Sequence, residues 1–400
     1  MDAVSSFDPE IVALPFFSDE HRRFAEEIGM WCEGHRPLWR TVGRMDPDAA
    51  GRQLVHLLGE DGWLAALDTT RTAPPGVPRG LRTVCLAREA LAYAEDLVDF
   101  AYSIQSLAAT PIARHGTAAQ QERYLPRLAD GSLVGAFAIS EREAGSDLSA
   151  VGLAARREAG GDWVLDGHKA WIAQATIADL FVVVARTGEG PGALGLTAFL
   201  VPADAPGVSI GERVTAIAPR SFGHLRFDAC RLPADAVLGR PGRGFVIALD
   251  LLERFRMTVG AAAVGFARRA SDAALAHTRA RPAQGTTLFA LPVVRASLAD
   301  VDIQLNAAAL LVARAAWAYD RDHRDAARHS NIAKVHATEA AQTIIDTCLQ
   351  LFGAAGIVHG SLPERLYRQI RSLRIYEGAT DVLRQAIADT IDTRRPLLLG

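Results

Sequence analysis

The chain has 400 residues, 49% of them hydrophobic, with 43 Lys and Arg against 46 Asp and Glu and a formal net charge of −3. That length and apolar content suit a large core shared by two or three domains. The near-balanced charge, with no Lys/Arg run, argues against binding along a nucleic-acid backbone.

Cys32, Cys85, Cys230 and Cys348 are far apart and show neither C-x-x-C nor metal-ligand spacing, so they read as reduced structural thiols with no metal site. Met1 to Asp8 carry no basic-then-apolar leader pattern, and no apolar run looks long enough to span a membrane. A soluble, cytoplasmic protein without membrane insertion is expected.

In chain order, residues 18 to about 130 read as helices. Ser18-Asp19-Glu20 opens the first, with Phe24, Ile28 and Trp31 at helical spacing. A second runs near Ala49–Leu58. A loop from Thr69 to Gly80 follows, marked by Pro74-Pro75-Gly76. One long helical pattern runs from Leu81 to about Ala109, and a shorter one from Thr117 to Leu128.

The texture changes at Gly131. Short β-type runs (Val134–Ile139, Trp163–Leu165, Leu180–Ala185, Leu196–Val201, Val208–Ile210, Leu225–Phe227) are separated by Gly, Pro and Asp. Without helices between them they suit a small antiparallel barrel or sandwich. From Gly244 long, alanine-rich apolar helices return (Phe245–Arg279, Leu291–Asp320, Ala326–Leu351), with shorter segments after them. Their close spacing suits a four-helix bundle. The expected fold is mainly α with a middle β domain: helices over 1–130, β domain over 131–243, helical bundle over 244–400.

Five stretches carry candidate chemistry. In Tyr376-Glu377-Gly378 a carboxylate stands beside an aromatic ring and a glycine, just before a terminal helix that Thr380 or Asp381 is placed to cap. A carboxylate fixed on such a turn, with its pKa raised by partial desolvation, suits a general base. Ile139-Ser140 through Gly145-Ser146-Asp147 ends a strand in hydroxyls and a turn, a setting for a polar ring system or an ordinary hairpin. Trp171, in Lys169-Ala170-Trp171-Ile172-Ala173, suits either a core or the face of an aromatic cofactor. Arg279 and Arg281 end a long helix; Arg279 suits its dipole, while Arg281, beside Pro282, is free to reach a phosphate. Gln350-Leu351-Phe352-Gly353 ends another helix in a glycine turn.

Together and in this order, these stretches resemble the acyl-CoA dehydrogenase family, from about Ser18 to Ile391. The resemblance implies an N-terminal helical domain, a middle β domain, a C-terminal four-helix bundle, and FAD between the last two. It implies a homotetramer or dimer, an acyl-CoA or acyl-carrier-protein thioester as substrate, and electron-transfer flavoprotein or another acceptor as partner. Glu377 matches the catalytic base. Ser140, with Ile139, matches the hydroxyl residue at the flavin edge, and Ser146, with Gly145, the residue near the FAD pyrophosphate and the substrate arm. Trp171 matches the Trp packed beside the flavin ring. Arg281 matches the arginine on the neighbouring subunit's FAD, and Gln350 and Gly353 its FAD-binding turn. Thr380 is carried over with the cofactor contacts. Arg256, Tyr376 and Gly378 are carried over to the substrate side.

The resemblance also exposes departures. Ala173 stands where Thr or Ser meets the flavin, Gln284 where Phe is usual, and Pro292 where Gln is common. Looser FAD retention is implied. The activity implied is α,β-dehydrogenation, with Glu377 taking the α-proton and flavin N5 the β-hydride. The rival reading is a flavin monooxygenase or oxidase on the same fold, which Glu377 disfavours; a flavin-free scaffold is a third.

Overall fold

The computed structural model describes residues 6–67 and 78–391. In chain order the helices are α1 (Pro9–Val12), α2 (Asp19–Gly34), α3 (Arg36–Val42), α4 (Pro47–Glu60), α5 (Leu81–Ala94), α6 (Asp96–His115) and α7 (Ala118–Ala129). Eight strands follow: β1 (Gly135–Ala138), β2 (Ala154–Arg157), β3 (Trp163–Ala173), β4 (Leu180–Arg186), β5 (Leu196–Pro202), β6 (Val208–Arg213), β7 (Phe222–Leu232) and β8 (Val237–Leu238). Then come α8 (Gly244–Ala280), a hairpin of β9 (Pro282–Ala283) and β10 (Thr286–Thr287), α9 (Pro292–Asp320), α10 (Ala326–Phe352), α11 (Leu362–Arg371) and α12 (Thr380–Ala388). Most of the expected loop from Thr69 to Gly80 lies outside the described residues.

The chain forms two compact units. One gathers the described residues of Met1–Trp39, Pro78–Asp96 and Glu253–Gly400; the other those of Arg40–Val77 and Leu97–Leu252. The N-terminal helices are thus shared out, α2 and α5 with the C-terminal helices, α4 and α7 with the sheet.

In the sheet unit, one eight-stranded sheet runs β6-β7-β3-β2-β4-β5-β8, with β1 also on β4. The expected antiparallel pairing holds for most ladders. The β1–β4 ladder and the single β2–β4 contact are parallel. Strand β4 (Leu-Phe-Val-Val-Val-Ala) is buried along almost its whole length, so both of its faces are covered. Strand β7 instead alternates buried with exposed residues, the mark of a half-solvated strand. The β2 stretch, Ala-Ala-Arg-Arg, has no apolar alternation, and the sequence reading missed it.

A buried glutamine ties helices to sheet in this unit. The Gln105 Nε2 donates to the carbonyls of Leu128 (2.9 Å) and Leu133 (2.7 Å), and its Oε1 accepts from the Gly135 amide (2.9 Å). A Cβ at Gly135 would meet Ala108 Cβ at 2.5 Å, so glycine lets β1 start against α6. Helix α7 begins at a capping box: Gln120 N–H donates to Thr117 Oγ1, and Gln120 Oε1 accepts from Thr117 N–H.

In the helical unit, α8, α9 and α10 meet at Gly260, where a Cβ would lie 3.0 Å from Val312 Cγ2 and 3.3 Å from the Ala333 carbonyl. Asp320, ending α9, caps α5: its carboxylate accepts from the Leu81 amide (2.7 Å) and from Arg82 Nε (2.7 Å). The expected single helix from Leu81 to Ala109 is broken at Glu95, which adopts extended backbone (φ −161°). The reason is tertiary. Glu95 is 1% exposed, and its carboxylate accepts two hydrogen bonds from Arg365 on α11 (2.6 and 2.7 Å).

Helix α9 bears on the membrane expectation. By length and composition it is long and apolar enough to cross a bilayer, with a window of mean hydropathy 1.3. The sequence reading, which found no such run, is corrected there. Here α9 packs against α5 and α10, while Val293 and Ile303 on it stay exposed.

Candidate active site

Glu377 lies between α11 and α12 on a turn with two successive left-handed residues, Glu377 at φ +53° and Gly378 at φ +103°. Backbone at φ +103° favours glycine at 378, and a Cβ there would also crowd Leu383 Cδ2 at 2.8 Å. A non-glycine residue held in that region costs free energy, and it persists only where its surroundings over-determine it. The surroundings here come largely from α10.

Lys334, fully buried on α10, donates from Nζ to the Gly378 carbonyl. Five residues along, Glu339 accepts from Arg374 Nε (2.8 Å) and from Thr380 Oγ1 (2.7 Å). The hydroxyl of Thr380 therefore serves Glu339. Ala379 is the residue at the N-cap of α12, and no side chain caps it, so the expected cap by Thr380 or Asp381 is not formed.

Arg256 arrives from α8 through a local adjustment of that helix. The Met257 amide donates to Ser330 Oγ (3.0 Å), and that hydroxyl donates to the Glu253 carbonyl (2.7 Å). A hydroxyl from α10 is thereby inserted in the i to i−4 ladder of α8, one of the recognised causes of a bend. Arg256 Nη1 donates to Asn331 Oδ1 (2.9 Å).

Burial lowers the Arg256 guanidinium from its usual value, while the charges of Glu253, Tyr319 and Glu377 oppose that shift. Burial also pushes the Lys334 ammonium down to about 8, opposed first by Glu377. Glu377 thus sits among two cations, both held by α10. Tyr376 and Gly378 flank it, each half-buried.

The sequence reading brought forward Glu377, Arg256, Tyr376, Gly378 and Thr380, and the fold gathers all five round this turn. It missed Lys334, Glu339, Asn331 and Ser330. Their only signal is a run of polar residues at near-helical spacing within an alanine-rich helix, easily taken for a solvated face.

Arg281, Gln350 and Gly353 form a separate group in the same unit. His277, one turn before Arg281, stacks on Phe352 at 4.2 Å, and Gly353 ends α10 at φ +59°. All three residues are exposed. Phe352 lies roughly 27 Å along α10 from Lys334 at 1.5 Å per residue, so this group does not share the Glu377 turn. Gln284 is left-handed (φ +48°), and Pro292 stands at the first turn of α9, where it favours the helix start.

In the sheet unit, Ile139, Ser140, Trp171 and Ala173 lie on neighbouring backbone, since the Ala170 amide donates to the Ser140 carbonyl (2.9 Å). The brace beneath them is a buried ion pair. Lys169 Nζ donates to the Ile139 carbonyl (3.0 Å) and to Glu141 Oε1 (2.7 Å). Glu141 also accepts from the amides of Gly152 (2.7 Å) and Leu153 (3.0 Å).

Burial pushes the Lys169 ammonium down to about 8, opposed by Glu141. Burial acts to raise the Glu141 carboxyl, but Lys169 and the two amides outweigh it and hold it below its usual value. Gly145 and Ser146 lie on an exposed turn with open space at the Gly145 Cβ position.

Trp171 supplies a test of fit for a flat cofactor such as FAD. Its side chain is held outward on left-handed backbone (φ +55°) and is 49% exposed, although its strand neighbours Ala170 and Ile172 are buried. A large indole kept in solvent at a strained position fits a covering role over a ring, with Ser140 beside it as a hydroxyl partner. The residues present fit the group.

Family models of the N-terminal, middle and C-terminal domains of acyl-CoA dehydrogenases match residues 18–132, 136–230 and 242–391. The human mitochondrial short-chain specific acyl-CoA dehydrogenase is 38% identical over 285 residues, 71% of this chain and 69% of that relative. The probable acyl-CoA dehydrogenase fadE25 of Mycobacterium leprae is 34% identical over 302 residues, covering 75% and 77% of the two chains. The structure of butyryl-CoA dehydrogenase from Megasphaera elsdenii matches with a TM-score of 0.87 at 28% identity, over 94% of this chain and 98% of that one.

Proposed function

This chain belongs to the acyl-CoA dehydrogenase family, an oxidoreductase acting on acyl thioesters, and from that premise we propose that Glu377 is its catalytic base. The observation that carries this reading is the Glu377 turn: a carboxylate on strained backbone, facing the buried Lys334 and the half-buried Arg256, fixed from α10.

The cofactor is FAD, which when bound supplies the acceptor for the β-hydride. Ser140 and Trp171 hold its ring system, with Ile139 and Ala173 beside them; Gly145 and Ser146 serve its pyrophosphate side. Glu377 removes the α-proton of the thioester onto its carboxylate. That proton is only weakly acidic, so the thioester carbonyl needs a hydrogen-bond donor, and the Glu377 backbone N–H fills that role. Arg256 and Lys334 stabilise the carboxylate before transfer, and Tyr376 and Gly378 border the acyl group. The product is an α,β-unsaturated thioester.

Acyl-CoA is the proposed substrate, and electron-transfer flavoprotein the proposed electron acceptor. A homo-oligomer is proposed as the working form. The separation of Arg281, Gln350 and Gly353 from the Glu377 turn supports their contact with a second subunit's FAD, and the exposed Val293 and Ile303 on α9 support association.

The test is an anaerobic titration of the purified protein with acyl-CoA and acyl-carrier-protein thioesters, following flavin absorbance. Bleaching by a thioester, abolished in Glu377→Gln, is expected. Bleaching that survives in the mutant would remove Glu377 from the chemistry.

A further inference from the structure

Helix α10 holds the Glu377 turn at two points, through residues that the carried-over site residues do not include. Lys334 takes the Gly378 carbonyl, one residue past the carboxylate. Glu339 takes the side chains of Arg374 and Thr380, which bracket it in sequence. The stretch so held contains the strained Glu377 and Gly378.

Lys334 is fully buried, and the Gly378 carbonyl is the acceptor of its ammonium among the described residues. A buried ammonium is costly to the fold unless paired, and a Met of similar length would relieve that cost. A purely structural Lys at this place is therefore poorly explained. We propose that Lys334 is a positioning residue for proton abstraction, clamping the Glu377 turn together with Glu339. The proposal rests on the reading of Glu377 as the base.

The charged groups that face Lys334 are Glu377 on the turn, Arg256 from α8, Glu339 on α10 itself and Arg374 ahead of the turn. Burial brings the ammonium to about 8, so the clamp loses its charge within the range where turnover can be followed. Above that pH the Gly378 carbonyl faces a neutral amine, and Glu377 loses the Lys334 charge while Arg256 keeps its own.

The experiment compares FAD-loaded wild type, Lys334→Met and Lys334→Gln. It follows kcat and KM across the pH range, melting temperature, and amide exchange at residues 376–380. For Lys334→Met, kcat is expected to fall about 10–100-fold, the size of loss that misplacing a reacting group produces. KM should change far less. Exchange at residues 376–380 should rise, the melting temperature should hold or increase, and the decline of kcat near pH 8 should vanish. Lys334→Gln, which keeps a donor without the charge, should recover the exchange protection but not the pH 8 decline.

Wild-type exchange and a wild-type pH profile in Lys334→Met would overturn the proposal. So would a parallel loss of melting temperature, FAD content and kcat, which marks a merely structural residue. If no thioester bleaches the wild-type flavin, the substrate reading fails instead, and the exchange comparison still decides the clamp.

Discussion

At the scale of single residues, the Glu377 turn stores strain that its neighbours must offset. Gly378→Ala should be severe, because the new methyl would stand 2.8 Å from Leu383 Cδ2 on backbone of φ +103°. A loss on the order of 1–3 kcal/mol is expected, measured as a shift in urea midpoint. Unchanged stability would mean that the turn relaxes freely. The sequence made Glu377 legible because its neighbours Tyr376 and Gly378 are adjacent in the chain. Lys334 was illegible for the opposite reason: it acts across 44 positions, and a lysine in a helix looks like any solvated cation. Trp171 lay between these cases. Its residue type suggested a ring contact, but only the backbone at φ +55° shows that it is held out of the core.

At the scale of elements, braces set the positions of the site residues. Glu141 has a folded-state pKa below its unfolded value, so it contributes stability that is fully present above the unfolded pKa. That contribution is lost as pH falls through the lowered folded value. Glu141→Gln should therefore flatten the loss of melting temperature below about pH 4.5, the region of an unperturbed glutamate. An identical acid limb in mutant and wild type would contradict this. Thr117→Ala should remove the capping box of α7 and cost about 1 kcal/mol by denaturant titration; no change would show that the box adds nothing here.

Most elements were legible because their periodicity is local. The break at Glu95 was not, since no Gly or Pro marks it and its cause is Arg365, 270 positions away. Strand β2 was illegible because its apolar alternation is absent and its partners, β3 and β4, supply the order.

At the scale of the whole molecule, the order of helices, strands and helices was readable from the change in pattern at residues 131 and 244. How the helices divide between the two compact units was not, because that depends on contacts such as Asp320 with Arg82, far apart in sequence. Ala173, Gln284 and Pro292 stand where the resemblance to the family implies other side chains that meet FAD. The flavin should therefore be partly lost on gel filtration, seen as a falling ratio of visible to ultraviolet absorbance; stoichiometric retention would contradict that expectation.

Removal of an acyl-thioester α-proton by Glu377 is the chemistry proposed for this site. It is tested most directly by anaerobic titration of the flavoprotein with a thioester panel, with Glu377→Gln in parallel. At least one thioester is expected to bleach the wild-type flavin and none the mutant's. Flavin that no thioester bleaches, or equal bleaching in both proteins, would contradict it.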